Sequence, residues 1–331
     1  MPMYKYKAAN VELPYPPSAY RFYKTGLGEY SFPRYMMYTD DLEIMRDVPG
    51  QPHKGRVFLA IQPHSDDVPI YCGGLVAKLI KEGYTGYLLK MSADDLGGRL
   101  PFGQSALGNE NDNHAIAKAL GCKKAFTFYY NNHRMDGDAI LEIKTRLVHL
   151  FRTLKVDTII CHDPFNDYER NPDHIVSAEA IHRACMICGG NKDFPEFAKA
   201  GIDGTYIRDK YYHGNTPQGH HLVNCVVDIG SVIDTKVNAN IVNISKGPLG
   251  INGSLLRNRL AKENKKLPIL GDDDDTANFQ YIKEILFHDW RLFGKQFGLE
   301  YAEPYYHIGP WYDDKPSLQD YIDENAVPLN S

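Results

Sequence analysis

Two short stretches hold most of the side chains in this sequence that can do chemistry. They are Pro63-His64-Ser65-Asp66-Asp67 and Asn171-Pro172-Asp173-His174. A zinc site of catalytic type takes about three protein ligands and leaves a position open for water. His64, Asp67 and His174 supply two nitrogens and one oxygen, and none of the six cysteines is needed. With Zn2+ this set keeps a net positive charge, so a water there is acidified towards neutral pH. Asp66 adjoins a ligand in sequence but points elsewhere, which frees it for general-base work. Each stretch also has a plainer reading. Asp caps helix N-termini well, and His174 alone reads as a surface residue beside a cap. What sets a metal site against that reading is the joint placement of the two stretches.

The placement follows from the elements around them. Arg56 to Gln62 reads as a buried strand, and the helix that follows starts after Gly73-Gly74 and ends at Gly83. Tyr84–Met91, Ala125–Tyr130 and Val156–Cys161 read as further strands. Between them, Asn113–Leu120 and Ala139–Leu154 carry helical apolar spacing, as does Ile175–Cys188 after the last. Gly121 closes the first of these helices. Alternating strands and helices predict a parallel sheet covered on both faces. In such a sheet ligands bind beyond the C-terminal strand ends. His64, Asp66 and Asp67 follow the first strand there, and His162 through His174 follow the fourth.

Beyond residue 189 the rhythm loosens. A Gly-rich connection over 189–220 is a candidate binding segment. His221–Ile229 reads as a strand and Ser231–Ile244 as a helix. The stretch 247–275 is expected to loop out, with Asp272–Asp275 as solvated charge, and Ala277–Phe297 to form one last helix. Residues 1–55 alternate Pro and Tyr with little periodicity and read as an extension packed on the main domain or on a neighbouring subunit.

Composition narrows the function. The 331 residues carry 37 Lys+Arg against 42 Asp+Glu, a net charge of −5. That balance argues against a dedicated nucleic-acid binder. No apolar run is long enough to span a membrane, and no signal peptide is evident. The scattered cysteines do not form a disulfide framework. These features predict a soluble cytoplasmic protein. The first strand–helix turn has no Gly-x-Gly-x-x-Gly pattern, and its acidic residues would repel a pyrophosphate.

Taken together, the 63–67 stretch, Gly73-Gly74 and Asn171-Pro-Asp-His174 resemble the PIG-L/LmbE-like family of metal-dependent de-N-acetylases. The resemblance spans residues 56–310, between the 1–55 extension and a 311–331 tail. It takes in Ala119-Leu-Gly121, Arg134-Met-Asp136-Gly137 and Gly298-Leu-Glu-Tyr-Ala-Glu303. It implies a Rossmann-like, mostly parallel sheet with helices on both faces. It further implies His64, Asp67 and His174 as zinc ligands, Asp66 as general base, and Asp173 as a residue orienting that machinery. Asp136 matches an acidic position near the sugar, although an Asp-Gly turn explains it equally well.

There are departures from the family pattern. Ser65 replaces a Pro without changing the ligand offsets. Asn171 replaces a His and can donate a hydrogen bond but no proton, which suggests an oxyanion-side donor, with Asp66 returning the proton. Tyr168 is one residue off a family Tyr, and Asn109 and Asp112 stand where Arg and Glu are usual. Arg99 is a candidate contact for an anionic group. The expected activity is hydrolysis of an N-acetyl group on a GlcNAc-type amino sugar or its conjugate. Alternatives are an amidase of the same mechanism on a non-sugar substrate, or a non-catalytic sugar-binding relative. The same ligands suit Fe2+, Co2+ or Mn2+, and a homo-oligomer is compatible with the aromatic extension.

Overall fold

A computed structural model describes residues 23–25, 28–30, 36–98, 100–166, 169–214, 221–246, 249–309 and 318–328. Arg99, Tyr168 and most of the Pro/Tyr segment lie outside them. The strands are β1 (Tyr23–Thr25), β2 (Gly28–Tyr30), β3 (Met36–Met45), β4 (Val57–Gln62), β5 (Thr85–Ser92), β6 (Lys124–Tyr130), β7 (Thr158–His162), β8 (Asp209–His213), β9 (His221–Asp228) and β10 (Ala302–Ile308). The helices are α1 (Gly73–Lys81), α2 (Phe102–Leu120), α3 (Ile140–Leu154), α4 (Pro172–Ile187), α5 (Pro195–Lys199), α6 (Ile233–Ile241), α7 (Asn252–Lys262), α8 (Asp274–Gln280), α9 (His288–Gln296) and α10 (Leu318–Asn325).

β1 and β2 pair with each other, and the other strands form one sheet in the order β3-β9-β10-β8-β7-β4-β5-β6. β10 runs antiparallel to both of its neighbours, and the remaining pairs are parallel. The mostly parallel α/β architecture expected from the sequence is the one observed. β4 shows why both faces are covered, since successive strand side chains point to opposite sides. Phe58 and Ala60 join one buried cluster with Leu75, Ile116 and Val237 from α1, α2 and α6. Leu59 and Ile61 join the other with Leu147, Phe151 and Ile181 from α3 and α4. The cysteines are all free. No helix among the described residues is long and apolar enough to cross a membrane.

Several elements differ from the sequence reading. β8 lies inside the expected 189–220 connection. β10 follows α9, where no strand was expected. β3, inside the 1–55 segment, pairs parallel with β9 at the sheet edge. α7 lies inside what read as an outlooping stretch, α8 starts at its end and runs into the expected 277–297 helix, and Asp273 caps α8 by accepting from Thr276 N. The single expected helix over 277–297 is broken at Phe287 between a π-helical stretch (Tyr281–Leu286) and α9.

The turn after β4 is held from several sides. Val68 N donates to Gln62 Oε1, and Ser65 donates from both N and Oγ to Asp94 Oδ2 at 2.9 Å. Behind the turn, α1 begins against Glu303 of β10, whose two carboxylate oxygens accept from Gly74 N and Leu75 N at 2.8 Å. A Cβ at Gly74 would lie 2.6 Å from Ile229 and 2.7 Å from Glu303, so only glycine fits this approach. Lys236, like Glu303 fully buried, completes the group at 2.5 Å.

Candidate active site

The ends of β4, β7 and β8 and the start of α4 bring their polar side chains to one place. His64 Nδ1 lies 3.2 Å from His174 Nε2. Asp67 reaches both rings, with Oδ2 3.6 Å from His64 Nδ1 and Oδ1 3.5 Å from His174 Nε2. All three residues are buried, and their donor atoms lie within 4.8 Å of one another.

The outer ring nitrogens are engaged as well. His64 Nε2 is 3.0 Å from Asp173 Oδ2, and His174 Nδ1 is 3.1 Å from Glu169 Oε2. Carboxylates in these places take the N–H of each ring, so the inner nitrogens present lone pairs. Two nitrogen lone pairs and a carboxylate then converge on one point, which calls for a positive charge between them. Bonds of ~2.0–2.1 Å in a tetrahedral site set neighbouring donors roughly 3.3 Å apart; the two ring nitrogens are 3.2 Å apart, and one or the other Asp67 oxygen comes within 3.5–3.6 Å of each. The residues present therefore fit a divalent transition metal. The electrostatics show the same demand for positive charge, which a proton on His64 meets when no cation does. Burial works against a charged His64, but Asp173 and Asp67 outweigh it and push its pKa up to about 9. Burial likewise opposes ionised Asp67, yet His174 and His64 hold its carboxyl well below the usual range.

Asp66 stands outside this donor set. Its side chain is 27 % exposed and lies 3.9 Å from Lys246 Nζ. Burial and the Asp67 carboxylate push its pKa up to about 6, with Lys246 opposing them. Asp173 is fully buried and also accepts from Asn132 Nδ2, His133 N and Met135 N, which ties the β6–α3 loop to the cluster. Asn171 Oδ1 caps α4 by accepting from Asp173 N at 3.0 Å. Asp136 is exposed on the turn Met135–Gly137. Asn109 is buried beneath the turn after β4, bonded to Ser65 Oγ and to the carbonyls of Asp94 and Gly97. Asp112 accepts from Ser245 N.

Three neighbours have no assigned role in the sequence reading of the site, although two of them fall in its 162–174 stretch. Glu169 has only its place five residues before His174 as a signal. His162 and His213 are register partners on β7 and β8. The His162 ring is 4.3 Å from that of His174 and 4.4 Å from that of His213, and Tyr71 stacks on His213. Burial and these histidines keep the pKa of His162 well below its usual value. His213 escaped notice because β8 did.

The fold and the site together define an α/β protein with a His-Asp-His donor set at the strand ends. Residues 59–185 match the model of the PIG-L family, described as GlcNAc-PI de-N-acetylase. A diacetylchitobiose deacetylase from Thermococcus kodakarensis is 28% identical over 203 residues, covering 57% of this chain and 70% of that protein. Among solved structures, an N,N'-diacetylchitobiose deacetylase from Pyrococcus horikoshii aligns at TM-score 0.59 with 18% identity, covering 83% of this chain and 87% of its own. A 4-carboxy-2-hydroxymuconate hydratase from Pseudomonas putida aligns at 0.53 with 17% identity, covering 77% and 97%. The fold is therefore shared by proteins named for different reactions, and the site must carry the argument about chemistry.

Proposed function

We propose that this chain is a zinc-dependent N-deacetylase that hydrolyses the acetamido group of a GlcNAc-type amino sugar. His64, Asp67 and His174 hold the metal. When bound there, zinc supplies Lewis acidity, which acidifies a water and polarises the amide carbonyl. Asp66 accepts the proton that water gives up. Water oxygen joins the acyl carbon, the C–N bond breaks, and the proton on Asp66 passes to the leaving nitrogen. The products are acetate and a free amine. Asp173 and Glu169 keep the two histidine rings in the tautomer that offers lone pairs inward. Asn171 Oδ1 is committed to the α4 cap, so its hydrogen bond to the oxyanion comes from Nδ2. Asp136 is assigned to the sugar, and Arg99 stays a candidate contact for an anionic group of the substrate.

The observation that carries this reading is the meeting of two ring nitrogens 3.2 Å apart with a carboxylate that sets one oxygen 3.5–3.6 Å from each, every ring backed by a second carboxylate and a further aspartate beside them. The named relatives point the same way, towards an acetylated amino sugar. The test is acetate release by the zinc-loaded protein from a panel of N-acetylated sugars and non-sugar amides, with and without chelator. Chelator-sensitive acetate release from an N-acetylhexosamine is the expected result. Release only from non-sugar amides would replace the sugar reading with an amidase, and no release from any compound would sink the hydrolase.

A further inference from the structure

Lys246 follows α6, and in sequence it falls between the expected 231–244 helix and the 247–275 loop. Its ammonium lies 2.5 Å from Asp94 Oδ1 and 3.9 Å from Asp66 Oδ1. Among the described residues, no other Lys, Arg or His nitrogen comes within 4.0 Å of the Asp66 carboxylate. The Lys246 side chain is only 15 % exposed, and a charge so far out of water needs close counter-charges. Asp94 supplies the nearer one and Asp66 the other.

The backbone that carries Lys246 is fixed as firmly as the charge. Ser245 N donates to Asp112 Oδ2 of α2 at 2.6 Å, and Asn243 Nδ2 donates to Ser65 O in the donor turn at 3.2 Å. A Cβ at Gly98 would lie 1.9 Å from Ser245 O, and the φ of Gly98 is +95°. Only glycine meets both conditions, so the loop after β5 is shaped to admit this segment. Asp94 joins the two sides. Its Oδ1 takes Lys246, and its Oδ2 takes Ser65 N and Oγ.

The proposed chemistry gives this arrangement a purpose. Asp66 and Asp67 are neighbouring carboxylates, and both stand close to the point where the donor set fits a divalent cation. Coulomb attraction draws any such carboxylate to the metal, and carboxylates are good zinc ligands. If Asp66 took the open position, the site would lose its water and its base together. An ammonium anchored on Asp94, outside the donor set, gives the Asp66 carboxylate a competing counter-charge. We propose that Lys246 is a positioning residue, which holds the Asp66 carboxylate beside the metal and out of its coordination shell. This rests on the deacetylase reading for what Asp66 does there, though not for where it stands.

The test uses the full chain loaded with Co2+, whose visible bands weaken as its coordination number rises. Lys246→Met should weaken the bands as Asp66 joins the donors, and Lys246→Arg should restore them. Lys246→Met combined with Asp66→Asn should give the spectrum of Asp66→Asn alone. Bands that do not weaken in Lys246→Met, or a change that persists when Asp66→Asn is added, would overturn the assignment. In the zinc-loaded proteins, kcat in the acetate-release assay should fall roughly tenfold to a hundredfold in Lys246→Met with KM little changed. The same substitution should cost nothing further in an Asp66→Asn background. A kcat within about twofold of the parent would also overturn the assignment. If Lys246→Met fails to fold, Lys246→Met with Asp94→Asn removes both halves of the buried pair and is read in the same way. Acetate release from no compound would remove the deacetylase, and the cobalt spectra alone would then decide where Asp66 stands.

Discussion

Glu169 Oε2 lies 3.1 Å from His174 Nδ1, on the opposite side of the ring from Asp67. Such a carboxylate fixes the tautomer and orientation of a ligating ring, and losing one typically costs 10–100-fold in metal affinity. Glu169→Gln is therefore expected to weaken zinc binding by about 10–100-fold, with the folded state retained. Competition against a chromophoric chelator measures this, and unchanged affinity would remove Glu169 from the metal centre.

Asp66 and Asp67 are adjacent in the chain but do different work in the proposed mechanism. Asp66→Asn should bind one equivalent of metal as the parent does, while kcat falls by roughly 10²–10⁴-fold. Asp67→Ala should lose both metal and turnover. Metal content and acetate release, measured on the same preparations, separate the two. Full activity in Asp66→Asn would refute its role as base.

The buried pair of Lys236 and Glu303 leads to a stability prediction. Glu303→Ala strands a buried ammonium and uncaps Gly74 N and Leu75 N. Breaking such a pair typically costs about 3–5 kcal/mol. Urea denaturation should show a loss of that order, and adding Lys236→Met should recover part of it. A loss under ~1 kcal/mol would mean that water reaches the pair.

Asp209 sets an acid limit on stability. Burial raises its pKa, but hydrogen bonds from His307 and Arg56 overcome this and hold its carboxyl below the ordinary value of 3.8. A depressed carboxylate stabilises the fold above its unfolded pKa, and that contribution fades as pH falls towards the folded value. Stability should therefore decline as pH drops below about 4, and less steeply in Asp209→Asn. Denaturant midpoints between pH 2 and 6 test this, and parallel curves for the two proteins would contradict it.

The central strands were legible because β4, β5 and β7 are short apolar runs bounded by turns, and the helices between them keep their spacing. The donor set was legible because a parallel sheet places its strand ends at one edge. What escaped has a common cause, since long-range contacts decided it. β10 carries Pro304, which reads against a strand inside a sheet, yet it pairs on both sides. α2 starts at Phe102, well before the apolar spacing begins at Asn113. Its first half is polar and Gly-containing, and buried bonds of Asn109 and Asp112 hold it. Gly253 and Ser254 of α7 pack on Ala277 and Asn278 in the same way. Glu169 could not be read because its partner is set by how the loop folds back, not by spacing.

The position of β10 has a consequence for synthesis. β8 and β9 are only seven residues apart in sequence, yet β10, made some 70 residues later, lies between them. While the ribosome is still adding α6 to α9, the nascent sheet can hold β4 to β8, but a gap separates it from β9 and β3. The same late strand brings Glu303 to the start of α1, directly behind the turn that carries His64 and Asp67. The donor turn therefore gains its rear support only once Glu303 has emerged, so a nascent chain stalled before residue 302 should be a poor trap for metal.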